Sequence, residues 1–77
     1  MTVLILEKVP GSLRGELTHW MLEPKSGVFI GDISAIVREK LWVKILNSKE
    51  DNGTGLLFYS TNTEQGYDIK TFGNSKR

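Results

Sequence analysis

An α+β sandwich is the fold that the 77-residue sequence predicts, and two observations carry that expectation. Apolar runs of strand length alternate with two stretches of helical periodicity, in the order strand, helix, strand, helix, strand, strand. The junctions are marked by Pro, Gly, Asn and Ser. Two helices on one face of a small sheet then give a ferredoxin-like arrangement of four mostly antiparallel strands. The domain is expected over residues 1–73, with 74–77 as a basic tail.

Thr2 to Lys8 opens the chain as a strand. Its four successive apolar residues, Val3 to Leu6, suit a central strand covered on both faces. Val9-Pro10-Gly11 ends it. Ser12 is placed to cap the first helix, whose stripe is Leu13, Leu17, Trp20 and Met21. Gly15 costs that helix about 1 kcal/mol against alanine, which a close backbone approach or a frayed first turn would explain. Pro24-Lys25-Ser26-Gly27 reads as a stop and a loop. Val28-Phe29-Ile30 is a short strand. Asp32 or Ser34 caps a second helix from about Ala35 to about Ser48, with Ile33, Val37, Leu41 and Ile45 every four residues. Trp42 and Leu46 widen that stripe, while Arg38, Lys40 and Lys44 are expected to face water. Asn47 to Gly55 is a polar loop and Leu56 to Ser60 a third strand. Asn62-Thr63-Glu64-Gln65-Gly66 is a hairpin turn, and Tyr67 to Phe72 a fourth strand whose alternation gives it one wet face.

A chain this short buries only about 60% of its unfolded surface, so its core needs support. It has no cysteine and one histidine, His19, which excludes disulfides, thiolate metal sites and a multi-histidine site within one chain. The second face of the sheet has no helix to cover it. Both shortages point to a homodimer through the sheet faces. The longest apolar run is far below the roughly 20 residues of a membrane helix, and no signal peptide is legible at the start. A cytoplasmic protein without membrane contact is therefore expected.

No phosphate-binding loop, dinucleotide fingerprint or hydrolase triad is present. His19 reads as a structural or surface residue, and Trp20 and Trp42 as packing residues. Phe58 and Tyr59 lack the basic-aromatic motif of a sheet-face RNA binder. Glu7 lies at the C-terminal end of the first strand, where two copies could converge across a dimer axis. Paired carboxylates suit a hard cation such as Mg2+. The plainer reading is a solvated acid paired with Lys8 or Arg14. Lys8 and Arg14 flank the start of the first helix, where amides and a guanidinium together suit phosphate. Lys76-Arg77 is a basic pair in the tail. Ten basic residues against nine acidic ones make this a local signal rather than a global one.

The stretch Val9-Pro-Gly-Ser-Leu-Arg-Gly-Glu-Leu-Thr-His-Trp-Met-Leu-Glu resembles one family closely, together with Gly27-Val-Phe-Ile-Gly-Asp-Ile-Ser and Arg38-Glu-Lys-Leu-Trp42. Thr61-Asn-Thr-Glu-Gln-Gly-Tyr67 and Thr71-Phe-Gly73 continue the match in order. The family is CRISPR-associated protein 2, the small subunit of the spacer-acquisition complex, in its subtype I-E form. The resemblance implies a ferredoxin-like homodimer that bridges two dimers of the CRISPR integrase subunit. It implies a platform for double-stranded DNA that needs no cofactor, with Arg14, Lys76 and Arg77 as backbone contacts, to which the position of Lys8 at the helix start adds a fourth. Ser12 stands where relatives carry another arginine. It also implies an alternative activity, a Mg2+-dependent endonuclease on RNA or duplex DNA, in which Glu7 replaces the family's usual aspartate as catalytic and metal-binding residue. Relatives run on into one more interface strand after the basic pair, so this chain is expected to stop short of it.

Overall fold

Strand β1 (Thr2–Glu7) occupies the middle of the sheet because it is apolar on both of its faces. The computed structural model describes residues 1–48 and 53–73. After β1 come α1 (Gly11–Trp20), β2 (Leu22–Lys25), β3 (Val28–Gly31), α2 (Ala35–Ser48), β4 (Thr54–Ser60) and β5 (Tyr67–Phe72). The sheet runs β2-β3-β1-β4-β5 with every neighbouring pair antiparallel. This is the ferredoxin-like order with a fifth strand added at the β4 edge.

Five strands replace the four expected. The strand absent from the expectation is β2, which belongs to the ferredoxin-like four and falls where the sequence reads as helix end and loop. Its pairing puts Lys25 opposite Val28, so Ser26-Gly27 is a two-residue hairpin loop. Gly27 has φ +82, and a Cβ there would meet the Leu6 carbonyl oxygen at 2.5 Å. Pro24 is tolerated because β2 is an edge strand.

The core lies between the sheet and the helices. Leu4, Leu6, Phe29, Leu57 and Tyr59 project from the strands onto Leu13, Leu17, Leu41, Trp42 and Ile45. Met21 joins them from just beyond α1, where its amide closes the helix onto the Leu17 carbonyl. Trp20 does not join; it is 45% exposed, because the helix ends there and the chain turns extended. The α1 cap also differs from expectation. Pro10 holds the N-cap position, Gly11 starts the helix, and no side chain caps it. At α2 the choice falls on Ser34, whose hydroxyl accepts from the Val37 amide at 3.2 Å. Gly15 has no backbone near it: nothing lies within 4 Å of where its Cβ would be. Lys40 and Lys44 are exposed as expected, but Arg38 lies 3.7 Å over the Tyr59 ring.

Among the described residues the opposite sheet face carries no helix. Register aligns Leu22, Ile30, Val3, Phe58 and Ile69 into one apolar row across all five strands. A second row holds Val28, Ile5 and Leu56. Phe58 and Tyr67 stack on this face with ring centroids 5.2 Å apart. The wet face of β5 is thus the reverse of the usual one. Its apolar residues Tyr67 and Ile69 point away from the helices and are 42% and 46% exposed. Asp68 and Lys70 instead share the helix side, where Asp68 accepts from the Tyr59 hydroxyl and Lys70 pairs with Glu39.

Candidate nucleic-acid interface

Glu7, Lys8 and the start of α1 meet at one end of the sheet, and the β2–β3 hairpin closes over the same end. The Leu6 amide donates to the Gly27 carbonyl at 2.8 Å, which fixes the hairpin beside the end of β1. Lys8 follows with φ 62, a left-handed conformation that a non-glycine residue holds only when its surroundings impose it. The turn it makes carries the chain from β1 into Pro10 and α1. The first amides of α1 have no side-chain cap. Such a helix start leaves N–H groups able to receive an anion.

Glu7 is on the open face, in register with Thr54. Its Oε1 accepts from the Thr54 hydroxyl at 3.0 Å. It makes no ion pair with Lys8 or Arg14 among the described residues. A hard divalent cation needs several oxygen ligands. Among the described residues no group of three His, Cys, Asp or Glu side chains gathers.

Arg14 is engaged inside the chain. Its guanidinium pairs with the Glu23 carboxylate of β2, and the Glu23 Oε2 also accepts from the Gly27 amide at 2.9 Å. Glu23 is on the helix side of the edge strand, with its side chain 15% exposed against 38% for Arg14. The Gly27 amide, opposed by burial and reinforced by Arg14, holds the Glu23 carboxyl below its ordinary 4.5. Lys8 makes no ion pair among the described residues, nor does Lys25 at the end of β2. Lys76 and Arg77 lie outside the described residues.

The structure therefore brings Glu7, Lys8 and Arg14 to one end, as the sequence suggests. It adds Glu23, Thr54 and Lys25, which the sequence reading missed. The signal for the first and last was the Ser26-Gly27 pair, a hairpin turn that makes Leu22–Lys25 a strand and turns Glu23 toward α1. Thr54 becomes a partner of Glu7 only through the β1–β4 register.

An open antiparallel sheet, two helices on one face and a loosely capped helix start beside basic residues define a small α+β protein of the ferredoxin-like class. No helix among the described residues is long and apolar enough to cross a membrane. A family model described as CRISPR-associated protein (Cas_Cas2CT1978) matches residues 1–77. The chain belongs to this Cas2-like family of CRISPR-associated proteins.

Proposed function

We propose that the chain is a non-catalytic DNA-binding adaptor of CRISPR spacer integration, in the subtype I-E form. Two copies pack through their open sheet faces. The pair bridges dimers of the integrase subunit and holds a duplex by its phosphates with Lys8, Arg14, Lys76 and Arg77. The observation that carries this reading is the apolar row from Leu22 to Ile69, which crosses all five strands with no covering layer among the described residues. An uncovered apolar face of that extent marks an interaction surface. A two-fold dimer closes it and doubles the basic end, giving a bridge two equivalent attachment points. Phosphate contacts of this kind supply affinity without reading sequence.

The endonuclease alternative has less support. Glu7 brings one carboxylate per chain, so pairing it needs the second copy, and its Oε1 accepts from the Thr54 hydroxyl. The two readings separate in one experiment on spacer acquisition in cells. The adaptor reading expects Glu7→Ala to acquire spacers and the charge reversal of Arg14, Lys76 and Arg77 to lose them. That reversal must also weaken duplex binding and flatten its salt dependence. Unchanged affinity in the reversed variant sinks the adaptor reading. Mg2+-dependent cleavage that vanishes in Glu7→Ala, with acquisition lost alongside, favours the nuclease.

A further inference from the structure

We infer that Glu23 is a positioning residue for the phosphate contact of Arg14, an inference that rests on the adaptor reading above. A carboxylate beside a DNA-binding surface would ordinarily be expected to repel the duplex, so its removal should tighten binding. The geometry argues for the opposite sign. The Arg14 side chain has one hydrogen bond among the described residues, from Nη1 to Glu23 Oε2. Guanidinium carries five N–H donors in a rigid plane, so the single bond at Nη1 tethers the group beside Glu23 and leaves the other donors to an outside acceptor. Glu23 is itself held, because its Oε2 takes the Gly27 amide at 2.9 Å in the hairpin that the Leu6 amide anchors. The chain of contacts runs from central strand β1 through the hairpin and Glu23 to Arg14 on α1. A long arginine would otherwise lose considerable side-chain entropy on binding phosphate. Here that ordering is in place before the duplex arrives. The lowered carboxyl keeps Glu23 charged, and the pair intact, across the neutral range.

The test measures duplex affinity of the full chain by fluorescence anisotropy on a short synthetic duplex, from low to moderate salt. Wild type is compared with Arg14→Ala, Glu23→Gln, Glu23→Asp and the double variant Arg14→Ala with Glu23→Gln. Glutamine keeps an acceptor for the Gly27 amide, so the hairpin is retained, and it replaces the ion-paired hold on Arg14 with a weaker bond to a neutral acceptor; thermal unfolding checks the hairpin. Positioning predicts that Glu23→Gln weakens binding even though the net charge rises by one. It lowers the slope of log K against log salt by about 0.9 for each Arg14 disengaged. The double variant then matches Arg14→Ala, and Glu23→Asp recovers most of the slope. Binding in Glu23→Gln that is equal to or tighter than wild type, while Arg14→Ala weakens it, overturns the positioning role and leaves the adaptor reading standing. An Arg14→Ala variant that binds like wild type overturns both the positioning role and Arg14 as a phosphate contact.

Discussion

Ile5 and Ile69 sit on the open sheet face, 43% and 46% exposed in the single chain. With that face as the seam between two copies, truncating both weakens the dimer and spares the core. Each Ile→Ala change removes three carbons, ~2.4 kcal/mol of burial at ~0.8 kcal/mol per methylene. Somewhat under half of each side chain still touches water in the single chain, which leaves ~1 kcal/mol per side chain to be gained on association. A two-fold dimer contains each residue twice. The double variant Ile5→Ala with Ile69→Ala therefore loses ~4 kcal/mol of dimerisation, and its Kd rises by about three decades. Sedimentation equilibrium over a concentration series reads that shift directly. Circular dichroism and the denaturant midpoint confirm that the fold is retained. A Kd that stays within tenfold of wild type with the fold intact refutes the argument. So does a wild-type chain that remains monomeric at its highest soluble concentration.

Gly55→Ala is expected to destabilise by ~1–3 kcal/mol in urea, because the Phe72 ring and the Leu6 side chain already fill the place of a Cβ there. Gly15→Ala has open space instead and should raise stability by ~1 kcal/mol through helix propensity. The Glu39–Lys70 pair at 2.8 Å predicts a pH window. The Lys70 ammonium chiefly, with Arg38 beside it, holds the Glu39 carboxyl below its ordinary 4.5, and Glu39 in turn raises Lys70 above 10.5. The acid's contribution is present above 4.5 and is lost as pH falls through its lowered value; the lysine's is present below 10.5 and is lost as pH rises through its raised value. Both side chains are more than a third exposed, so solvent screening holds the gain to ~1 kcal/mol or less. Denaturation of wild type against Glu39→Gln should show a difference that is flat between those limits and shrinks outside both.

The core was legible because helical stripes declare themselves. Leu13, Leu17, Leu41 and Ile45 are buried as their spacing requires. Trp42 is buried with them, while the equally apolar Trp20 is half out in water. Periodicity alone cannot separate the two, since what differs is where each helix stops. Strand β2 escaped notice for a related reason. Leu22-Glu23-Pro24-Lys25 has neither β-branched residues nor alternation, and only pairing with β3 makes it a strand. β5 was found, but its burial phase was not. Alternation shows that Tyr67, Ile69 and Thr71 share a face, and only the register with Phe58 shows which face. At the site, Lys8 and Arg14 were legible as cations near a helix start. That Arg14 is tied to Glu23 was not, because the two meet across a hairpin absent from the sequence reading.

For the proposed duplex contact net charge is a poor guide, since screening leaves only charges within about 8 Å to act at physiological salt. Arg38, Lys44 and Lys70 each face a carboxylate, from Glu39, Glu16 and Glu39 respectively. Lys8, Lys25 and Lys40 make no ion pair among the described residues. Lys8 and Lys25 both lie at the end of the sheet where α1 begins, held there by the Leu6–Gly27 hydrogen bond. Lys40 is on α2, in a groove with Glu16, Trp20 and Lys44 between the two helices. Lys25→Ala and Lys40→Ala change the net charge equally, so any difference between them reports location alone. The basic end expects Lys25→Ala to lower the slope of log K against log salt by about 0.9 per copy, with Lys40→Ala leaving it at the wild-type value. Slopes lowered equally in the two variants would mean that the duplex responds to the overall charge, and the basic end would lose its claim to be the binding surface.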